Sequence, residues 1–228
     1  MPANNTIKTY VEGGIYHIYN RGAGGQNIFL DSSDYKMFFK ILGSYLSPTI
    51  KKVDPYTGIV EDEENDCDVH KRIDLMCLCL MPNHYHLLLR QKNKEAMTEF
   101  TRRVFTKYSM YFNFKYERSG TLFQGRYKAS YVDNKDYLLF LSAYIHLNPV
   151  KAELCKNPED WEWSSYKNYR DLRKIKWLDP MNLIEIALEG SSKTKINYVG
   201  IISDYREHLK DRTNRKSSLF LPRYLTLD

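Results

Sequence analysis

Apolar and polar positions along this chain follow two rhythms. Gly13 to Asn20 (GGIYHIYN) is aromatic and β-branched behind a glycine pair and predicts a strand. From Asp34 to Leu46 the residues Tyr35, Phe38, Phe39, Leu42 and Leu46 recur at helical spacing, with Asp31, Ser32 and Ser33 as cap candidates and Pro48 closing the run. Ile73 to Met81 (IDLMCLCLM) is nearly continuous in apolar residues and short enough to be a buried strand. Pro82-Asn83 supplies a turn and His84 to Arg90 (HYHLLLR) a second strand, so the two predict an antiparallel hairpin. The longest helix is expected over Glu95 to Tyr116, where Met97, Phe100, Val104, Tyr108 and Tyr111 form one stripe. Arg126 to Val132 (RYKASYV) alternates like another strand, and Asp133-Asn134 caps a helix that Pro149 is expected to stop just after Asn148.

Strands and helices in this order predict one main α+β domain, an antiparallel sheet of ferredoxin-like character covered on one face by helices. Thr49 to Arg72 interrupts the pattern and reads as a flexible surface insertion, with Asp54, Pro55 and Gly58 as turn formers. Between Lys51 and His70 seven acids stand against two lysines, so the rest of the chain is more basic than the formal net charge of +6. A basic body favours polyanionic partners, although a basic face is also ordinary solvated surface. No run of about 18 apolar residues exists. Met1 to Val11 also lacks the succession of a signal peptide, so a cytoplasmic protein is expected. Cys67, Cys77, Cys79 and Cys155 have no paired spacing and read as free thiols, mostly in the core.

Candidate chemistry enters with two short motifs. Residues i and i+2 of a strand share a face, so His84 and His86 project side by side while Tyr85 points away. Two imidazoles so placed are able to share a metal, but an HxH pair on a strand is more often a hydrogen-bonding pair. In YIHLNP, Tyr144 and Asn148 lie one helical turn apart, which would set a phenol beside an amide able to complete a metal site. His146 points off that face and reads as a surface or packing residue. For Tyr144, one of 19 tyrosines, core packing is the plain alternative.

The segments MPNHYHLLL, GTLFQGRYKASYV, YIHLNPVKAEL and WEWSSY occur in that order, and together they resemble the REP-associated tyrosine transposases. These are relatives of the one-tyrosine HUH transposases of the IS200-like superfamily. The resemblance runs from about Gly13 to Tyr169, and WLD at Trp177 to Asp179 looks like the start of the extension of longer members. It implies an HUH endonuclease fold at residues 1–170, with an acidic insertion at about 49–72, and a helical C-terminal extension at 171–228.

The resemblance also implies an activity, that of a metal-dependent single-stranded DNA endonuclease and strand transferase acting on hairpin DNA. His84, His86 and Asn148 correspond to the metal ligands and Tyr144 to the nucleophile. The product would be a 5′-phosphotyrosyl link with a free 3′-hydroxyl. Mg²⁺ or Mn²⁺ would be the cofactor, two imidazoles suiting Mn²⁺ better. A phenol titrates near pH 10, so Tyr144 needs a metal field or a base, and the sequence shows no base. Arg102, Arg103, Lys107, Arg126 and Lys128, close in sequence to Phe123 and Tyr127, form a candidate surface for single-stranded or hairpin DNA. Two other readings stand beside this one: a domesticated hairpin binder that does not cleave, and a metalloenzyme acting on small molecules. Monomer and homodimer are both compatible with the resemblance.

Overall fold

The computed structural model describes residues 10–53, 58–189 and 197–214. The strands are β1 (Ile15–Arg21), β2 (Thr49–Val53), β3 (Val60–Glu64), β4 (Ile73–Met81), β5 (His84–Gln91) and β6 (Lys128–Val132). The helices are α1 (Ser32–Leu46), α2 (Val69–Arg72), α3 (Ala96–Lys115), α4 (Lys135–Lys151), α5 (Tyr166–Tyr169), α6 (Pro180–Leu188) and α7 (Tyr198–Asn214). Four strands form an antiparallel sheet in the order β4-β5-β1-β6, so the fold is the α+β sandwich expected.

Strand alternation divides the core in two. Tyr16, Ile18, Leu78, Leu80, Tyr85, Leu87 and Leu89 face one side and pack with Phe38 and Leu42 of α1 and Phe100, Val104 and Tyr108 of α3. Leu88, Cys77, Cys79 and Met81 face the other and pack with Leu141, Tyr144 and Ile145 of α4, Leu183 of α6, and Tyr198 and Ile202 of α7. Helices therefore cover both faces of the sheet, where the sequence suggested one. The reason lies in β4, whose apolar residues alternate to both sides, with an irregularity between Leu75 and Cys77 that re-sets its register against β5. The helices past residue 170 join the second core, next to α4.

The β4–β5 turn at Pro82-Asn83 brings Met81 opposite His84. It is held from outside: Ile28 and Phe29 donate backbone bonds to the Pro82 carbonyl and Gly22 donates to that of Asn83. Helix α1 starts on a capping box between Asp31 and Asp34. The fully buried Asp34 carboxylate also accepts from Lys115 at 2.7 Å and Tyr116 at 2.8 Å, tying α1 to the end of α3.

Two expectations need correction. The acidic segment is not irregular, because Thr49–Val53 and Val60–Glu64 pair as an exposed antiparallel ribbon; residues 54–57 lie outside the described ones, as do 190–196 and 215–228 of the extension. Charge alternation supports the pairing, with Lys52 reaching Glu63 across the strands at 2.9 Å. Nor does Pro149 stop the last core helix, which runs on to Lys151. Proline removes its own N–H and crowds the carbonyl four residues back, yet the turn beyond it closes through Ala152 donating to Asn148 and Leu154 donating to Pro149.

Candidate metal and nucleophile site

Strand pairing and helix packing set the geometry of the site. In β5, His84 and His86 project toward α4, and their ring centroids lie 5.0 Å apart. The ring of Tyr144 on α4 meets that of His86 edge-on at 5.6 Å. Tyr85 between the histidines points the other way, fully buried against Phe105. Asn148 follows Tyr144 by one turn, and its Nδ2 donates to the Tyr144 carbonyl at 2.9 Å.

Each of the three candidate ligands has one polar atom engaged within the protein. The proton of His84 is fixed on Nδ1, which lies 2.6 Å from the Asn83 side-chain oxygen and donates to it; Nε2 keeps its lone pair. His86 is 1% exposed, its Nδ1 is hydrogen-bonded to His17 at 2.9 Å, and its Nε2 is buried with no hydrogen-bond partner. Asn148 uses its amide N–H on the Tyr144 carbonyl, and its Oδ1, the atom an ion would take, is not part of that bond. A buried polar atom without a partner is costly, and bare imidazole and amide lone pairs are the donors a divalent cation would take. No group of three His, Cys, Asp or Glu side chains among the described residues could hold an ion, so a site here depends on the amide as third ligand.

Electrostatics favour the same use. Burial lowers the His84 pKa to about 4 and that of His86 well below the ordinary imidazole value, the neighbouring His17 and His84 adding to the effect on His86. Both rings are neutral at pH 7, the state in which imidazole is a ligand.

The structure adds two residues that the motifs did not single out. His17 lies in the middle of β1, stacked on His86 with centroids 5.1 Å apart and 6.5 Å from the Tyr144 ring. Only its place on the face of Tyr19 in GGIYHIYN hinted at this, because the pairing of Tyr19 with His86 is a tertiary fact. Arg21 pairs in register with His84 and donates to the Gln124 side chain, putting a cation at the mouth of the site.

The five cations expected to contact DNA are not brought together as one surface. Lys128 pairs with Tyr19 and sits over its ring, on the site's own face. Arg102 and Arg126 line a cavity of about 600 Å³ with Tyr10, Phe105, Phe123 and Tyr127, on the α3 side. Arg103 is engaged by Glu99 at 2.7 Å, and Lys107 lies over Tyr45 of α1. His146, left aside as a surface or packing residue, is fully buried and packs against Tyr166, Tyr169 and Tyr198.

Residues 64–148, which contain both histidines, the tyrosine and the asparagine, match the family model described as "Transposase IS200 like". No curated protein matches the chain. Among solved structures, the chain is similar to a REP-associated tyrosine transposase bound to a REP hairpin, at 15% identity and a TM-score of 0.52, over 76% of this chain and 90% of that one. At that identity the likeness speaks for the fold. A candidate transposase from Deinococcus radiodurans R1 matches at 14% identity over 59% of this chain and 90% of that one, with a TM-score of 0.37.

Proposed function

Because residues 64–148 match the IS200-like transposase family, we propose that this chain is a metal-dependent single-stranded DNA endonuclease and strand transferase that acts on hairpin DNA through a 5′-phosphotyrosine. The observation that carries the reading is the contact of the Tyr144 ring with His86, whose buried Nε2 has no partner among the described residues. The relative solved with a REP hairpin makes hairpin DNA the first substrate to test.

In this reading His84, His86 and Asn148 hold a divalent ion, Mg²⁺ or Mn²⁺. When bound, the ion offsets charge on the nonbridging oxygens of the scissile phosphate. Tyr144 supplies the nucleophile: its Oη forms a bond to phosphorus, the bond from phosphorus to the 3′-oxygen breaks, and the phenol proton ends on the released 3′-hydroxyl. The new phosphotyrosyl ester resembles the bond it replaces, so a 3′-hydroxyl is able to reverse the step without ATP. Arg21 and Lys128, on the same face of the sheet, are placed to meet backbone phosphates. Arg102 and Arg126, beside aromatic rings in their cavity, are candidates to hold bases or phosphates farther along the strand.

The test is incubation of labelled single-stranded hairpin DNA with the protein and Mn²⁺, then denaturing electrophoresis and peptide mapping. A covalent adduct on Tyr144, absent from Tyr144→Phe and retained by Tyr137→Phe, is expected. An adduct mapped to another tyrosine overturns the nucleophile assignment. Salt-dependent hairpin binding with no adduct in any metal marks a hairpin binder that does not cleave.

A further inference from the structure

His17 faces His86 across the sheet with Nε2 2.9 Å from the His86 Nδ1, and both rings are buried to 1% exposure. A bond between two neutral imidazoles needs one donor and one acceptor, so this pair has two possible states. In one, His86 carries its proton on Nδ1 and donates to His17, which leaves the His86 Nε2 as a bare lone pair. In the other, His17 donates, and His86 must carry its proton on Nε2, where no group among the described residues accepts it. Only the first state makes His86 a ligand.

We propose that His17 is a positioning residue of the metal site, fixing His86 in its Nδ1–H tautomer and holding the ring so that Nε2 points at the ion. This rests on the reading of His84, His86 and Asn148 as ligands. The surroundings of His17 suit the role. Its ring is clamped between His86, at 5.1 Å and 19° between planes, and Tyr19, at 4.9 Å and 26°, so the accepting nitrogen has little freedom to turn away. In the first state the His17 proton sits on its own Nδ1, also buried without a partner among the described residues, so each state strands one N–H, and it is an ion on the His86 Nε2 that favours the first. His84 obtains the same control by a different route, through the Asn83 side-chain oxygen at 2.6 Å. Both histidines of the pair thus give their Nδ1 proton to an acceptor and keep Nε2 open. The outer partner of a metal-bound histidine commonly tunes affinity through this kind of bond.

The experiment is Mn²⁺ titration of the DNA-free, full-length protein, followed by the electron paramagnetic resonance signal of free Mn²⁺. It compares wild type, His17→Leu, His17→Gln and His84→Ala, with nitrogen NMR of the His86 ring in the metal-free protein. Leucine fills the space without an acceptor, whereas glutamine restores one. His17→Leu is expected to bind Mn²⁺ about 10- to 100-fold more weakly, with His17→Gln falling between it and wild type. The wild-type ring should carry its proton on Nδ1. Mn²⁺ bound by His17→Leu as tightly as by wild type, while His84→Ala is weakened, overturns the positioning role and leaves the metal reading standing. Unchanged binding by His84→Ala overturns the metal reading and the positioning role with it. If His17→Leu does not fold, the wild-type spectrum decides, because a His86 proton on Nε2 rules the proposal out.

Discussion

Two groups of histidines are buried under helix α4, alike in burial and unlike in partnership. His146 is fully buried; its Nδ1 lies 2.8 Å from the Tyr198 hydroxyl and its Nε2 lies 2.7 Å from that of Ser165, which in turn bonds the Leu78 backbone. Every polar atom of that ring has a use inside the protein, and the ring links α4 to β4 and α7. His86 and His17 are as deeply buried, yet each keeps a ring nitrogen with nothing to bond. Burial pushes the pKa of His146 and of His17 down to about 3 alike, so proton affinity does not separate the two groups. Hydrogen-bond satisfaction does. The fully partnered histidine is a clamp, and the partly orphaned ones belong to the proposed metal site.

The strongest way to break that comparison is to remove a ligand from the open group. His84 is only partly buried, so His84→Ala should leave thermal stability within about 1 kcal/mol of wild type, while adduct formation falls to background. EDTA should act on the wild type in the same way, with Mn²⁺ or Mg²⁺ restoring the adduct. Full cleavage by His84→Ala, or in EDTA, would sink the metal assignment. The opposite pattern is expected for the closed group. His146→Ala takes one hydrogen bond each from Tyr198, which keeps Ser142, and from Ser165, which keeps the Leu78 backbone, and it opens a cavity in the core, so it should cost about 3 kcal/mol, or roughly 10 °C in Tm, with Mn²⁺ affinity unchanged. A His146→Ala protein as stable as wild type means that the network is ornamental.

Much of this contrast was out of reach of the sequence, and the reason differs residue by residue. The hairpin carrying His84 and His86 was legible because its apolar run, its Pro82-Asn83 turn and its alternation agree. The relation of Tyr144 to Asn148 follows from helical spacing alone, and the continuation past Pro149 does not. His17 looked like one more residue of an aromatic strand, since its partner lies 69 positions away. Of the cations, Arg103 could have been set aside, because Glu99 four residues earlier is a ready ion-pair partner. Lys107 over Tyr45 needed the packing of α1 on α3. The acidic ribbon was missed because a surface strand with charged residues lacks the apolar alternation by which strands are recognised.

Acidification probes both groups together. Above about pH 6.5 a histidine is neutral in the folded and the unfolded chain and adds nothing to the pH dependence. Below that, the unfolded chain takes up a proton that His17 and His146 refuse until about pH 3 and His84 until about pH 4. Stability should therefore fall as pH drops from 6.5, by about 1.4 kcal/mol per pH unit for each such histidine once well below the unfolded pKa. Urea midpoints between pH 6.5 and 4.5 measure it, in a window above that of the paired carboxylates. His146→Ala should show a slope shallower by one proton. A flat profile means that these rings take up protons in the folded state.

The smallest expected effect carries the comparison from imidazoles to amides. Asn65 and Asn148 are both buried asparagines, at 5% and 8% exposure. The Asn65 Nδ2 donates to the carbonyls of Ser44 and Ser47, and its Oδ1 accepts from the Cys67 N–H, so both ends serve the join between α1 and the acidic ribbon. The Asn148 Nδ2 serves its own helix, donating to the Tyr144 carbonyl, and its Oδ1 is the proposed third ligand. Asn65→Ala should thus lower stability by about 2 kcal/mol and leave Mn²⁺ affinity alone. Asn148→Ala should cost under about 1 kcal/mol, since alanine propagates a helix better than asparagine and offsets the lost bond, and it should weaken Mn²⁺ binding. Deleting residues 54–68 would remove Asn65 together with half of the ribbon, so the single substitution is the cleaner measurement. The exposed pair of Lys52 and Glu63 is the baseline, because screening by solvent leaves so open an ion pair almost no stabilising effect. Chemical denaturation and Mn²⁺ titration of the two asparagine variants give four numbers. If Asn148→Ala destabilises as much as Asn65→Ala and binds Mn²⁺ normally, then its amide oxygen is not a ligand and the site has only its two histidines.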